Sequence, residues 1–169
     1  MSALSGLSRW LAGTTPAFAE RQVRCASPAG LHRMAYTEWG ERDNPNVLVS
    51  VHGLTRNGRD FDDLARVLAA DYRVLCPDVV GRGRSDWLRD PSGYVVQQYV
   101  TDMLVLLARL DVEAVHWLGT SLGGLIGMWI ASQEDSPITR LVLNDVGPLI
   151  SVASLLRIGE YVGQAPKFD

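Results

Sequence analysis

The stretch VHWLGTSLGG, Val115 to Gly124, decides how this chain is read. An apolar run ends at Gly119. One serine, Ser121, follows, and then two more glycines, Gly123 and Gly124. The run before Gly119 is strand-like, whereas LGGLIGMWIASQED after Ser121 predicts a helix. A serine at so sharp a strand-to-helix turn takes a strained backbone conformation, and side chains two residues to either side would collide. Gly119 and Gly123 remove those side chains, and Gly124 is expected to let the helix sit close to the sheet. The hydroxyl then projects from the carboxyl end of a strand, backed by the free N–H groups of a helix N-terminus. The alternative for such a turn is a phosphate cradle, but GTSLGG lacks the lysine of a P-loop.

Working outward, VLVSVHG (Val47 to Gly53) is a near-continuous β-branched run, which suits a strand covered on both faces. RVLCPDVVG (Arg73 to Gly81) is a second short strand leaving into a glycine loop, and ITRLVLND (Ile138 to Asp145) is another. Between them lie helical patterns. DFDDLARVLAADY places Phe61, Leu64, Ala65 and Leu68 on one face, with Asp60 as the expected cap. From Val95 to Leu110, one face carries Val96, Tyr99, Val100, Met103, Leu107 and Leu110. Upstream, RQVRCAS and HRMAYTEWG flank PAG, a strand–turn–strand signal. After that hairpin the order is β-α-β-α-β-α-β. The fold class is therefore α/β, a mostly parallel sheet flanked by helices on both faces.

Two further loops belong with the serine. His52-Gly53 ends the first of these parallel strands, and a turn at Gly53 is expected to aim the Leu54 N–H into the same cleft. With the N–H of Leu122 it makes a two-donor oxyanion hole. PDVVGRGRSD contains Gly81-x-Gly83, but Asp86 stands where a dinucleotide fingerprint needs its third glycine. A shaped loop beside the cleft is the better reading.

Bulk properties exclude several classes. The chain has 169 residues and a net charge of -3, with no electrostatic footprint for nucleic acid. Arg82, Arg84 and Arg89 lie among Asp86 and Asp90 and read as a solvated loop. Cys25 and Cys76 share no short spacing and read as buried thiols of a reducing compartment, so a cytoplasmic location is expected. No apolar run spans a membrane. Ala17 to Ala19 form an A-x-A pattern, but Arg9 and GTTP interrupt the apolar stretch that a signal peptide needs. No metal-ligand spacing and no cofactor motif is evident, so neither a metal nor a cofactor is expected.

Taken together, VHGLTRNGRDF, PDVVGRGRS, GTSLGGLIG and LVLNDVGP, spread over residues 45–147, resemble the α/β-hydrolase family, most of all its small bacterial esterases and carbon–carbon bond hydrolases. The resemblance implies Ser121 as nucleophile and Leu54 and Leu122 as oxyanion-hole donors. It implies a sheet of eight strands with only the second antiparallel, a helical lid after strand six, an acid after strand seven and a histidine after strand eight. On that template residues 1–20 are an N-terminal extension, 21–147 the core through strand six, and 148–169 the start of the lid. No histidine follows Ser121 in this sequence. His116 lies about 16 Å back along its own strand and reads as a core residue. His32 lies on an early strand, and by the resemblance His52 braces the oxyanion loop. Asp145 is a possible early acid. The expectation is a fold truncated after strand six, with the base and acid supplied by sequence beyond residue 169. The expected partners are a small-molecule substrate and that C-terminal segment, with a second copy of the chain as a further option. The expected reaction is hydrolysis of an ester or related acyl bond, or alternatively of a carbon–carbon bond, through an acyl-enzyme. A serine nucleophile argues against the epoxide-hydrolase and dehalogenase branches. The alternatives are a non-catalytic small-molecule-binding protein and an inert fragment of the enzyme.

Overall fold

The computed structural model describes residues 18–147 throughout, together with Pro16, Leu149, Leu156, Arg157 and Gly159. The expected lid start at 148–169 lies almost wholly outside these residues, as does most of the expected extension. β1 begins at Phe18, however, so the last residues given to the extension belong to the sheet.

Six strands form one sheet: β1 (Phe18–Ser27), β2 (Gly30–Trp39), β3 (Val47–Val51), β4 (Arg73–Pro77), β5 (Val115–Thr120) and β6 (Ile138–Asn144). Their spatial order is β1-β2-β4-β3-β5-β6. β2 runs antiparallel to both β1 and β4, whereas the β3–β4, β3–β5 and β5–β6 pairs are parallel. Among the described residues 18–147, three α-helices complete the alternation: α1 (Asp62–Leu68), α2 (Val96–Leu107) and α3 (Leu122–Ala131).

Every residue of β3 and β4 is buried, as a sheet covered on both faces requires. The period of two along β3 sorts the core into layers. Val47, Val49 and Val51 point into a cluster with Met103, Leu106, Trp117, Ile126 and Ile130, under α2 and α3. Leu48 points the other way, into Trp39, Phe61, Ala65, Val74 and Cys76, under α1. One helix thus covers one face and two cover the other.

The region before α1 departs from the expected helix. Gly58–Phe61 is a 3-10 turn capped by the Asn57 side chain, which accepts from the Arg59 N–H, and Asp60 pairs with Arg56. The α-helix starts only at Asp62, and of the expected face Phe61, Ala65 and Leu68 pack into the core beneath it while Leu64 does not. Phe61 and Ala65 are buried, whereas Leu64 is among the exposed hydrophobics.

Candidate active site

In an open parallel sheet, ligands bind where successive crossovers leave in opposite directions. Here that switch point is β3, since β4 lies on one side of it and β5 on the other. The loops leaving the carboxyl ends of β3, β4 and β5 carry His52-Gly53-Leu54, Asp78 to Asp86, and Ser121.

Ser121 occupies the junction of β5 and α3 with φ 49° and ψ -111°. A serine there is strained by roughly 1–3 kcal/mol. The strained peptide is clamped from both sides. The Ser121 N–H donates to the Asn144 carbonyl at the end of β6 (2.9 Å), and the Ser121 carbonyl accepts from Gly124 (2.9 Å) and Leu125 (3.1 Å). A Cβ at Gly119 would overlap the backbone of Gly123 and Gly124, which is the collision expected from the sequence. Gly124 sits close to the sheet as expected, where a Cβ would stand 3.2 Å from the Gly119 carbonyl oxygen, but the tightest approach falls at Gly123. A Cβ on Gly123 would lie 2.6 Å from the Val51 carbonyl carbon of β3, whereas one on Gly124 would run into the Val146 side chain.

The loop after β3 lies beside the serine. A Cβ built on Gly53 would stand 3.6 Å from the Ser121 Cβ, an ordinary contact, and Gly53 is not in the left-handed region. The expected need for glycine to make this turn is therefore absent. Its hydrogen leaves room on the cleft side of Ser121. Among the described residues, neither the Leu54 N–H nor the Leu122 N–H donates to a protein acceptor. Both are free for an incoming oxygen.

His52 is fully buried behind this loop. Its Nε2 accepts from the Val79 N–H (2.9 Å), so its Nδ1 carries the proton and donates to the Gly53 carbonyl (2.7 Å). The ring ties the β3 loop to the β4 loop as a neutral imidazole, and burial holds its pKa below the ordinary 6.5. The unfolded chain takes up a proton on this ring below pH 6.5 where the folded chain resists, so stability is lost as the pH falls. The denaturant midpoint should therefore drop between pH 7 and pH 5, and the drop should shrink in His52→Gln. His116, also held low by burial, acts with the same sign. It is only half-buried, so His116→Gln should change the slope less.

The β4 loop is shaped, as expected, and Arg84 and Arg89 are exposed, but Arg82 is half-buried and Asp78 and Ser85 are buried. Asp78 is buried and accepts from the Gly58 N–H (2.7 Å) and the Arg84 N–H (2.8 Å). Its backbone carbonyl takes the Ser85 hydroxyl (2.5 Å), whose oxygen accepts from Ala35 of β2 (2.8 Å). Arg82 is half-buried. Its Nε donates to the Leu54 carbonyl (2.9 Å), and its Nη1 donates to the Val80 carbonyl (2.8 Å) and the Tyr99 hydroxyl (3.0 Å). The guanidinium also lies over the Tyr94 and Tyr99 rings. Arg84 pairs with Glu20. Sequence reasoning missed Asp78 and Arg82 as builders of the site, although Gly81 and Gly83 signalled a shaped loop.

Ser121 gains no histidine partner among the described residues. His116 is paired with Leu48 in the sheet, toward the amino end of β5, and its ring packs on Tyr72. His32 Nε2 bonds to Asp102 of α2, not to Ser121 at the β5–α3 elbow. Asp145 follows β6 directly, exposed and with φ 56°. It stands one residue beyond Asn144, the acceptor for Ser121, and makes no ion pair to a histidine.

A model of the alpha/beta hydrolase fold matches residues 46–162. The chain belongs to this family. It is 62% identical over 146 residues to a 3-hydroxybutyrate-oligomer hydrolase of Cupriavidus necator, covering 86% of this chain and 50% of that one. An α/β hydrolase of Novosphingobium aromaticivorans superposes with a TM-score of 0.78 at 44% identity, over 89% of this chain and 52% of that one. A hydrolase of Pseudomonas aeruginosa gives 0.70 at 28% identity, over 85% and 54%. This family member thus spans about half the length of the curated relatives and solved structures that it matches. Among the described residues no helix is long and apolar enough to cross a membrane.

Proposed function

We propose that this chain supplies the nucleophile and oxyanion hole of a serine hydrolase acting on ester bonds, with short oligoesters of a hydroxy acid such as 3-hydroxybutyrate as the substrate class. The observation that carries the reading is Ser121, held at φ 49° where the β3 and β5 loops meet. A strained side chain clamped at a switch point is a functional signature. The substrate class draws its support from the relative that is 62% identical.

In this mechanism the Ser121 Oγ attacks the ester carbonyl as its proton passes to a base. Negative charge develops on the carbonyl oxygen and is met by the Leu54 and Leu122 N–H groups. Collapse expels the alcohol, which takes the proton, and leaves an acyl-serine that water then hydrolyses. His32, His52 and His116 are committed elsewhere, so the base comes from the remainder of the intact protein. Asp145 is retained as a candidate carboxylate because it lies at the carboxyl end of β6.

The test offers the intact protein a dimer and trimer of 3-hydroxybutyrate and follows acid release. A fluorophosphonate probe is applied in parallel and its adduct is mapped by mass spectrometry. Turnover with the adduct on Ser121 supports the reading. Binding of the oligomers with neither turnover nor adduct favours a small-molecule-binding protein instead.

Arg82 gives a second check. It fixes the Leu54 carbonyl and hence the loop that presents the Leu54 N–H. Arg82→Gln should lower kcat about tenfold or more with little change in KM, because an oxyanion donor acts mainly in the transition state. Arg82→Lys, which keeps a donor, should recover part of the loss.

A further inference from the structure

Away from the cleft, three chemically distinct donors converge inside the protein. Cys25 of β1 and His32 of β2 face each other in the strand register, and Asp102 of α2 packs against both. The Cys25 Sγ, a ring nitrogen of His32 and a carboxylate oxygen of Asp102 lie within 4.8 Å of one another, and all three residues are buried. The thiol makes a long contact, 3.8 Å, to the Asp102 backbone carbonyl and also interacts with the Asp102 carboxylate. One ring nitrogen of His32 bonds to the Asp102 carboxylate (2.9 Å), while the other, Nδ1, is buried with no partner. Gln98 donates to the second oxygen of that carboxylate (2.8 Å) and to the Ala26 carbonyl (2.9 Å), which fixes its orientation.

We propose that Cys25, His32 and Asp102 form a divalent transition-metal site, best matched to zinc. A thiolate, an imidazole and a carboxylate are a zinc donor set, and in a tetrahedral site such atoms stand roughly 3.3–3.7 Å apart. To reach that spacing the His32–Asp102 pair, 2.9 Å apart, opens slightly, and the thiol, within 4.8 Å of both, closes on them. On binding, the Cys25 thiol gives its proton to solvent, His32 coordinates as the neutral imidazole and Asp102 as the carboxylate. Thiolate and carboxylate then balance the two charges of the ion, so the buried site carries no net charge. A cavity of about 250 Å³ borders the site on the His32 side, lined also by Ser27, Gly30, Leu31 and Trp87, though not by Cys25 or Asp102. The ion would staple the β1–β2 hairpin to α2.

The test uses untagged, chelator-stripped protein and needs no enzymatic activity, so it stands or falls apart from the hydrolase reading. Zinc is titrated against a chromogenic chelator, and cobalt(II) is added separately as a spectroscopic probe. The expected result is one equivalent bound, a thiolate-to-cobalt charge-transfer band, the visible bands of a tetrahedral ion, and a higher Tm with zinc. Cys25→Ser should lose the charge-transfer band and weaken binding about a hundredfold or more, whereas Cys76→Ser, which alters the other buried thiol, should leave both unchanged. If Cys25→Ser does not fold, the charge-transfer band of the unsubstituted protein decides. No stoichiometric binding, no thiolate band, or full binding in folded Cys25→Ser would overturn the site and leave a hydrogen-bonded cluster alone.

Discussion

Ser121→Ala should lower kcat for ester hydrolysis in the intact protein by about 10⁴- to 10⁶-fold, with KM changed far less. The size follows from the chemistry. Without the Oγ no acyl-enzyme forms, and only the oxyanion donors and substrate binding remain to assist direct attack by water. The same side chain carries a folding cost. Ser121 stands at φ 49°, where a Cβ is strained. Alanine keeps that Cβ and should leave stability within about 0.5 kcal/mol. Glycine removes it, so Ser121→Gly should stabilise the fold by about 1 kcal/mol while also abolishing turnover. Chemical denaturation of the three proteins, set beside their kcat values, checks both halves. Retention of more than a tenth of kcat in Ser121→Ala would show that another group is the nucleophile. An unchanged midpoint in Ser121→Gly would show that the elbow stores no strain.

The elbow was legible in the sequence because its physics is local. Gly119, Ser121 and Gly123 sit within five positions, and the clash that they avoid arises among their own backbones. The alternation of strand and helix was legible for the same reason, since β3 and β5 announce themselves by burial pattern and α2 by its apolar face. What stayed hidden depends on contacts distant in sequence. Asp78 reads as one more loop acid until it is seen accepting from Gly58 and Arg84. Arg82 reads as a solvated charge among charges, yet it crosses to the Leu54 carbonyl and two tyrosine rings. Glu38 gives no sign of its role on β2, where Arg21 and Arg73 flank it. Cys25, His32 and Asp102 share no motif spacing, because a strand register and a helix packing bring them together. The start of α1 was misjudged for a different reason. Asn57 captures the Arg59 N–H and opens a 3-10 turn, and of the residues that an α-helical count puts on the buried face only Leu64 turns out to solvent.

Gly123→Ala should have the largest effect on folding. A methyl group there would meet Val51, with its carbonyl carbon 2.6 Å and its Cβ 2.9 Å away. Val51 is fully buried at the carboxyl end of β3, in register with Gly119 of β5, so neither backbone can step aside without opening the sheet at its switch point. The Trp117 indole N–H also donates to the Gly123 carbonyl (3.0 Å), which pins the first turn of α3 from beneath. Overpacking a core by one methyl group ordinarily costs about 1–3 kcal/mol, because flexible side chains absorb it. Here the neighbour is backbone, and about 4 kcal/mol or more is expected, a large share of a domain's total stability. Gly53→Ala is the matched control. It adds the same methyl group across the cleft, at an ordinary 3.6 Å from the Ser121 Cβ. It should leave the denaturation midpoint nearly unchanged while crowding the approach to Ser121 and lowering kcat/KM. If Gly123→Ala unfolds at the same denaturant concentration as Gly53→Ala, the packing of α3 on β3 does not depend on this glycine, and the elbow has slack that its geometry does not show.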